Sequence, residues 1–278
     1  ITSEKDFYTR CVACCQKVID SKSYKIEDNF FSNFFIHNEN SKENIFVIVE
    51  DGNSAFNYRD VAGKMSNKLR ITNLSLNYCF QTCWNTVDKP WNGFCAPEDF
   101  LKRYEWGVDH RGPCDQNAGT HGCDGWAWFL GPVYESKDSD VILKMEDKGN
   151  IPAVIVPKIT SLTDATHNDG ANKYCDNDFV LFRYADVLYM QYEAAYRAGN
   201  DSKCSELLAD SDFQKIRTRV GCSPYSSLDL DELLNERGRE FAWELVRRRD
   251  LIRFNKFSMG SWDYKPKAKD NHWDWFPI

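Results

Sequence analysis

The chain has no apolar run approaching the ~18–20 residues that a membrane-spanning helix needs, so no bilayer span is expected. No secretory leader is expected within these residues either. Ile1 to Arg10 is mixed and polar, where a leader would carry an apolar stretch. Nor is there a surplus of basic charge. Thirty-five Lys and Arg stand against 42 Asp and Glu, for a net charge of −7 and a pI near 5.4. Duplex binding needs a clustered basic surface, so nucleic acid is not an expected partner. The run Arg247, Arg248, Arg249 is short and sits among acids, as on a solvated or salt-bridged helix face.

The signatures of catalysis are equally sparse. There is no G-x-S-x-G motif and no Ser/His/Asp set at a recognisable spacing. No Gly-rich loop of phosphate-cradling type occurs. His37, His110, His121, His167 and His272 are scattered through polar segments. His110 with Cys114, and His121 with Cys123, come nearest to metal-ligand pairs. A structural zinc site wants four ligands in a compact cluster, and no repeated CxxC supplies them. Neither a metal nor another cofactor is expected.

Cysteine and tryptophan, by contrast, are plentiful. Eleven cysteines are an odd number, so at least one is free or has its partner outside this chain. Cys11, Cys14 and Cys15 fall at i, i+3 and i+4 and read as buried thiols on one helix face. The cysteines of the middle segment, from Cys79 to Cys123, are the better disulfide candidates. Aromatic residues make up 14%, with nine Trp. That content fits either a heavy core or a surface that grips flat ligands.

Hydrophobic periodicity divides the chain. Residues 1–50 read as a helix-and-strand scaffold. Ser3 caps a helix reaching about Ser21, with Phe7, Cys11, Cys14, Cys15, Val18 and Ile19 as its apolar stripe. The aromatic run Phe30, Phe31, Phe34, Phe35 follows, then a short buried strand over Glu43 to Glu50. Residues 51–178 are rich in Gly, Asn, Asp, Pro and Trp and lack long periodic stretches. They read as a loop-rich layer, either ligand-facing or an irregular packing layer. Residues 179–278 read as helical. One helix is expected over Phe179 to Ala198, stopped by Gly199-Asn200. A second is expected from Asp201 to about Val220, and a third from Asp229 to Phe254 with Leu233, Leu234, Arg237, Phe241, Leu245 and Leu251 inward. Trp243 reads as core. The first two helices form a hairpin of tetratricopeptide type, which needs further partners to bury its faces.

The motifs in this last third resemble those of the SusD/RagB family. Arg183-Tyr-Ala-Asp-Val-Leu-Tyr-Met190 with Glu193-Ala194 resembles that family's RYADVLLM…EA helix. Ile216-Arg-Thr-Arg-Val-Gly221 resembles its VRxRAG element. Glu236-Arg237, Arg239-Glu240, Glu244, Arg247, Asp250-Leu251 and Arg253-Phe254 resemble its ER..EL..EG.R..DL.RW element, and Trp275-Phe-Pro-Ile278 its closing FPIP. Leu245 departs from the pattern by standing where the family usually has Gly. The family is commonly about twice this length, so the chain resembles its second half.

The resemblance implies a mainly α, SusD-like fold of tetratricopeptide-type hairpins packed against an irregular layer. It implies a non-enzymatic outer-membrane lipoprotein, anchored through a lipid outside this chain. Such a protein captures oligosaccharides for a SusC/RagA-like TonB-dependent transporter. An oligopeptide ligand is the alternative, with a helical scaffold or a carbohydrate-active enzyme further behind. Glu236, Glu240 and Glu244 recur every four residues among Arg239, Arg247 and Arg253. They read as an ion-pair network, like Arg183 with Asp186 and Asp109 with Arg111, more than as a glycosidase's acid and nucleophile. Sugars lay their faces on aromatic rings while polar side chains take the hydroxyls. Trp84, Trp91, Trp106 and Trp126, interleaved with Asn92 and Asp109, are therefore the candidate ligand-binding residues.

Overall fold

The computed structural model describes residues 3–34, 37–49, 98–112, 129–130, 154–155, 178–261 and 267. In chain order the elements are α1 (Glu4–Asp20), β1 (Asn44–Ile48), α2 (Glu98–Leu101), β2 (Phe129–Leu130), β3 (Val154–Ile155), β4 (Phe179–Arg183), α3 (Tyr184–Ala198), α4 (Asp201–Ala209), α5 (Ser211–Thr218), α6 (Leu230–Glu240) and α7 (Arg247–Arg253). The fold is mainly helical, as expected. None of the described helices is long and apolar enough to cross a membrane.

Ser3 starts α1 as expected, its hydroxyl accepting the Asp6 backbone N–H at 3.1 Å. The helix lies along α3. Cys15 is buried there, and Cys11, Val12, Val18 and Ile19 pack beside it. The apolar stripe is narrower than the spacing suggests, because Cys14 and Phe7 face outward and Phe7 is 56% exposed. Cys11, Cys14, Cys15, Cys204 and Cys222 are free thiols. The middle cysteines Cys79, Cys83, Cys95, Cys114 and Cys123 lie outside the described residues.

Residues 179–183 form a strand and not the first turns of a helix. β4 pairs antiparallel with β1, Phe46 opposite Phe182 and Val47 opposite Val180. The run Phe-Val-Leu-Phe is the aromatic and β-branched composition a strand accepts. The helix can begin only after Arg183, whose backbone is extended at φ −124 and ψ 157. Nor is β1 buried, since a two-stranded ribbon packs on one face only. Phe46 and Phe182 stay about half-exposed on the other. β2 and β3 make a second antiparallel pair.

Gly199 ends α3 in the left-handed region at φ +70, and Asn200 caps α4 through the Lys203 N–H. The expected helix to Val220 is two helices. Asp210 breaks it with an extended backbone and spends its carboxylate capping α5 at the Phe213 N–H, 2.9 Å. Asp229 starts α6 in the same way. The expected helix over 229–254 is also interrupted. Trp243 and Leu245 take left-handed φ of +67 and +62, and the chain reverses between α6 and α7. The reversal carries Glu244 back toward Arg183. It also returns Arg247 to the Leu234 carbonyl at 2.7 Å. Gly238 leaves room for that contact, since a Cβ there would lie 2.7 Å from Arg247 Nη1. Leu245 is consequently 66% exposed and not inward, and Trp243 is half-buried at the edge of a core.

Two apolar clusters result. The larger joins α1 to α3, α4, α5, α6 and α7, with Tyr189 edge-on to Phe213 and Phe241. The smaller holds Phe30, Phe31, Phe34, Leu101, Tyr104, Val180, Val220, Cys222 and Ala242. It fixes residues 98–104 to the helical scaffold. Phe35, Trp262, Trp273, Trp275 and Phe276 lie outside the described residues.

A left-handed conformation costs a side-chain-bearing residue about 1–2 kcal/mol, and Leu245 recovers little of that by packing. Leu245→Gly is expected to stabilise the protein by about 0.5–1 kcal/mol after the entropy of glycine is set against it. Leu245→Val is expected to destabilise it, because β-branching makes that conformation worse. Thermal unfolding of the two variants checks the sign of each.

Candidate ligand-binding site and the charge network beneath it

Of the six residues expected to meet ligand, Trp106 and Asp109 are among the described residues. Trp84, Trp91, Asn92 and Trp126 lie outside them. Trp106 is 52% exposed, and its indole N–H donates to the Leu101 carbonyl at 3.1 Å. The ring is therefore held by its polar edge while much of its surface faces solvent. Asp109 is 1% exposed. Both of its oxygens accept from Arg111, Oδ1 from Nε at 3.0 Å and Oδ2 from Nη2 at 2.9 Å. The structure thus places the two residues on one segment with opposite surroundings.

That segment, 98–112, is clamped to the scaffold at several points. Arg111 Nη1 donates to Glu236 at 2.7 Å and to Glu240 at 2.8 Å, both on α6. The His110 N–H donates to the Val220 carbonyl at 3.0 Å, and Arg239 Nη1 to the Arg103 carbonyl at 2.9 Å. Gly221 permits this approach. It sits at φ +89, and a Cβ would come within 2.6 Å of the Val108 carbonyl oxygen.

Arg111 opens into a continuous network of five arginines and six carboxylates among the described residues. Arg183 Nε and Nη2 make a two-pronged contact with Glu244 at 2.8 and 2.9 Å. Its Nη1 reaches Glu43 at 2.5 Å and Glu240 at 2.9 Å. Arg219 joins the same two carboxylates. Arg217 and Arg239 complete Glu236, and Arg239 reaches on to Glu232. Rings of Phe30, Phe34 and Phe241 lie 4.9–5.7 Å from the Arg183 guanidinium carbon. A second network ties Arg237 to Asp186 and Asp250, and Arg253 to Glu193.

The electrostatics follow from this geometry. Burial alone would raise the Glu236 carboxyl, but Arg111, Arg239 and Arg217 outweigh it and hold the group well below the usual carboxylate range. Burial likewise opposes Glu43, and Arg219 and Arg183 prevail. A general acid in glycoside hydrolysis needs a raised pKa and a place in a cleft. Glu236 and Glu240 are at 0% exposure and committed to guanidinium partners, so neither lies in a cleft open to a sugar, and Glu236 lacks the raised pKa as well. Glu244 lies beyond the end of α6, bonded to Arg183, so the three glutamates do not share one helix.

Glu236, Glu240, Glu244, Arg239 and Arg253 were readable as members of ion networks from their spacing. Arg247, however, makes no ion pair among the described residues. Arg183 and Asp186 pair with other partners, Arg183 with Glu43, Glu240 and Glu244, and Asp186 with Arg237. The contributions of Glu43, Arg219 and Asn33 were not readable. Glu43 gathers the Glu27 N–H, the Asn33 amide and two arginines from distant parts of the chain, and no local pattern announces that role.

Removing one member of a buried pair strands the other, at about 3–5 kcal/mol. Arg183→Met is expected to lower the melting temperature by roughly 10 °C. A second expectation concerns pH. An unfolded glutamate titrates near about 4.3, and Glu43 and Glu236 titrate lower when folded. Their stabilisation is complete above about pH 5 and drains away as the pH falls below about 4. Glu236→Gln should therefore melt well below the parent at neutral pH, with the gap closing as both are acidified. Melting curves across that range check it.

Comparison with known proteins agrees with this architecture. The SusD family profile matches residues 153–275. Starch-binding protein SusD of Bacteroides thetaiotaomicron is 36% identical over 98 residues, covering 34% of this chain and 16% of that protein. Among solved structures, surface glycan-binding protein A from Bacteroides thetaiotaomicron in complex with laminarihexaose superposes with a TM-score of 0.69 at 20% identity. It matches 99% of this chain and 57% of its own. Surface glycan-binding protein A from Bacteroides uniformis gives 0.62 at 19% identity, over 94% and 48%. NanU of B. fragilis gives 0.58 at 19% identity, over 97% and 54%. The chain thus spans about half the length of these solved structures. With the motifs of α3, α5, α6 and α7 inside the matched region, residues 153–275 are similar to the SusD family, and the chain shares the fold of the SusD-superfamily structures.

Proposed function

We propose that this protein is a non-catalytic glycan-binding member of the SusD family, which captures oligosaccharides at the cell surface for a SusC/RagA-like TonB-dependent transporter. The observation that carries the reading is the family match, with a starch-binding relative and a structural neighbour holding laminarihexaose. The geometry is consistent with it. The buried carboxylates are spent on arginines, which leaves binding as the role of the outward groups.

On this reading the loop-rich layer 51–178 meets the ligand, and Trp106 is one of its rings. A ring fixed at its N–H edge keeps one orientation, so little entropy is lost when a sugar stacks on it. Asp109 acts through Arg111 by holding the 98–112 segment on α6. Trp84, Trp91, Trp126 and Asn92 are proposed as further contacts. The protein would sit at the outer-membrane surface through a lipid anchor outside this chain. An oligopeptide ligand is the second reading, supported by the aromatic content alone.

Titration calorimetry of the full chain against maltohexaose, laminarihexaose and a mixed peptide pool tests this. Trp106→Ala is expected to weaken saccharide binding at least tenfold, or about 1.4 kcal/mol, without altering the melting temperature. Saturable binding of peptides and of no saccharide would replace the first reading by the second.

A further inference from the structure

Arg111, Arg183, Arg219, Arg237 and Arg239 each meet at least two carboxylates in the interior. Arg247 does not. Its guanidinium lies over Gly238, largely enclosed, and donates one hydrogen bond, to the Leu234 carbonyl. No carboxylate among the described residues is within ion-pair distance of it. Among charged groups Arg103 acts on it most strongly, and Asp250 opposes that effect without bonding to it. Burial first, and Arg103 second, push the Arg247 guanidinium down to about 10.

Arg103 also has no ion-pair partner among the described residues. It is exposed, and its Nη1 donates to the Asn235 side-chain carbonyl. Phe100, one turn before it in α2, presents its ring 6.0 Å from the Arg247 guanidinium carbon. Arg103, bonded to Asn235, and Arg247, bonded to Leu234, thus reach successive residues of α6, in a chain of net charge −7 where carboxylates are plentiful. Holding an enclosed charge without a counter-charge is costly. A guanidinium with free donors beside a second cation is what binds an oxyanion in two-pronged fashion. Trp106 follows Arg103 by three residues on the same clamped segment, with its ring turned to solvent.

We propose that Arg103 and Arg247, floored by Phe100, form a subsite for an oxyanion carried on a saccharide, either the carboxylate of a uronic-acid residue or a sulfate ester. This deepens the glycan-binding reading and rests on it. The acidic group would sit between the two guanidiniums. Arg247 supplies an oriented, poorly hydrated donor, and Arg103 supplies mobile charge at the mouth. Gly238 is a positioning residue, since any side chain there displaces the Arg247 guanidinium.

The test is titration of the full chain with oligogalacturonate, its carboxyl-reduced counterpart, a carrageenan hexasaccharide that bears sulfate esters and no uronic acid, and laminarihexaose at constant ionic strength. Arg103→Gln and Gly238→Ala are compared with the parent, with melting curves to confirm folding. At least one acidic saccharide is expected to bind tenfold or more tightly than neutral saccharides, and which one separates carboxylate from sulfate ester. Both substitutions should remove that preference and leave neutral binding unchanged. Sodium sulfate, matched in ionic strength to chloride, should raise the melting temperature of the parent more than that of Arg103→Gln. Neutral and acidic saccharides bound alike, with no effect of Arg103→Gln, would overturn the subsite while leaving glycan binding intact. No saccharide bound, but a sulfate effect lost in Arg103→Gln, would overturn the glycan reading and retain an anion site.

Discussion

Glu43 and Glu240 have no exposed surface, and a carboxylate so placed must find a cation or take up a proton. Arg183 and Arg219 stand between them and serve both. The rest of the architecture follows from that requirement. β4 must deliver Arg183 at the moment the strand becomes a helix. α5 must end where Arg219 can turn inward. α6 must bring Glu240 to both, and the chain beyond it must reverse so that Glu244 can close the fourth side. None of these positions can shift by an ångström without stranding a charge, so the network acts as a gauge for the packing around it.

Most of the helical scaffold was legible because its determinants are local. Ser3, Gly199 and the charge-rich run of α6 announce themselves within a turn or two. The misreadings share a physical cause. Residues 179–183 are a strand because β1, more than a hundred residues away, is there to pair with them. Asp210 ends α4 because a carboxylate at that point gains more as the cap of the next helix than as a surface charge. Trp243 and Leu245 reverse the chain with side chains that ordinarily avoid such a conformation, so their sequence gives no turn signal. In each case a distant or competing partner outbid the periodicity.

The site was less legible than the fold. The same aromatic residue serves a core or a ligand, and only its surroundings decide. Trp106 and Trp243 look alike in the sequence, yet one is tethered by its N–H with its ring outward and the other lies at the edge of a cluster. Asp109 shows the converse. A polar residue among tryptophans suggested contact with hydroxyl groups, and the structure commits it to Arg111. The useful signal was the D-x-R spacing, because Arg111 two residues on can chelate the aspartate and still reach α6.

The span of the network along the chain has a kinetic consequence. Arg183 and Glu43 are separated by 140 positions, and Arg111 and Glu240 by 129. Large loops must close before either pair can form, and that closure is slow compared with the growth of a helix. The helices from α3 to α7 can therefore assemble early from neighbours in sequence. Until Glu43 and Arg111 arrive, their charged side chains must remain hydrated. The last event in folding is then the drying of this network, and with it the seating of the segment that carries Trp106. On the proposed glycan-binding role, a binding surface set in place by the slowest step exists only on molecules that have finished folding.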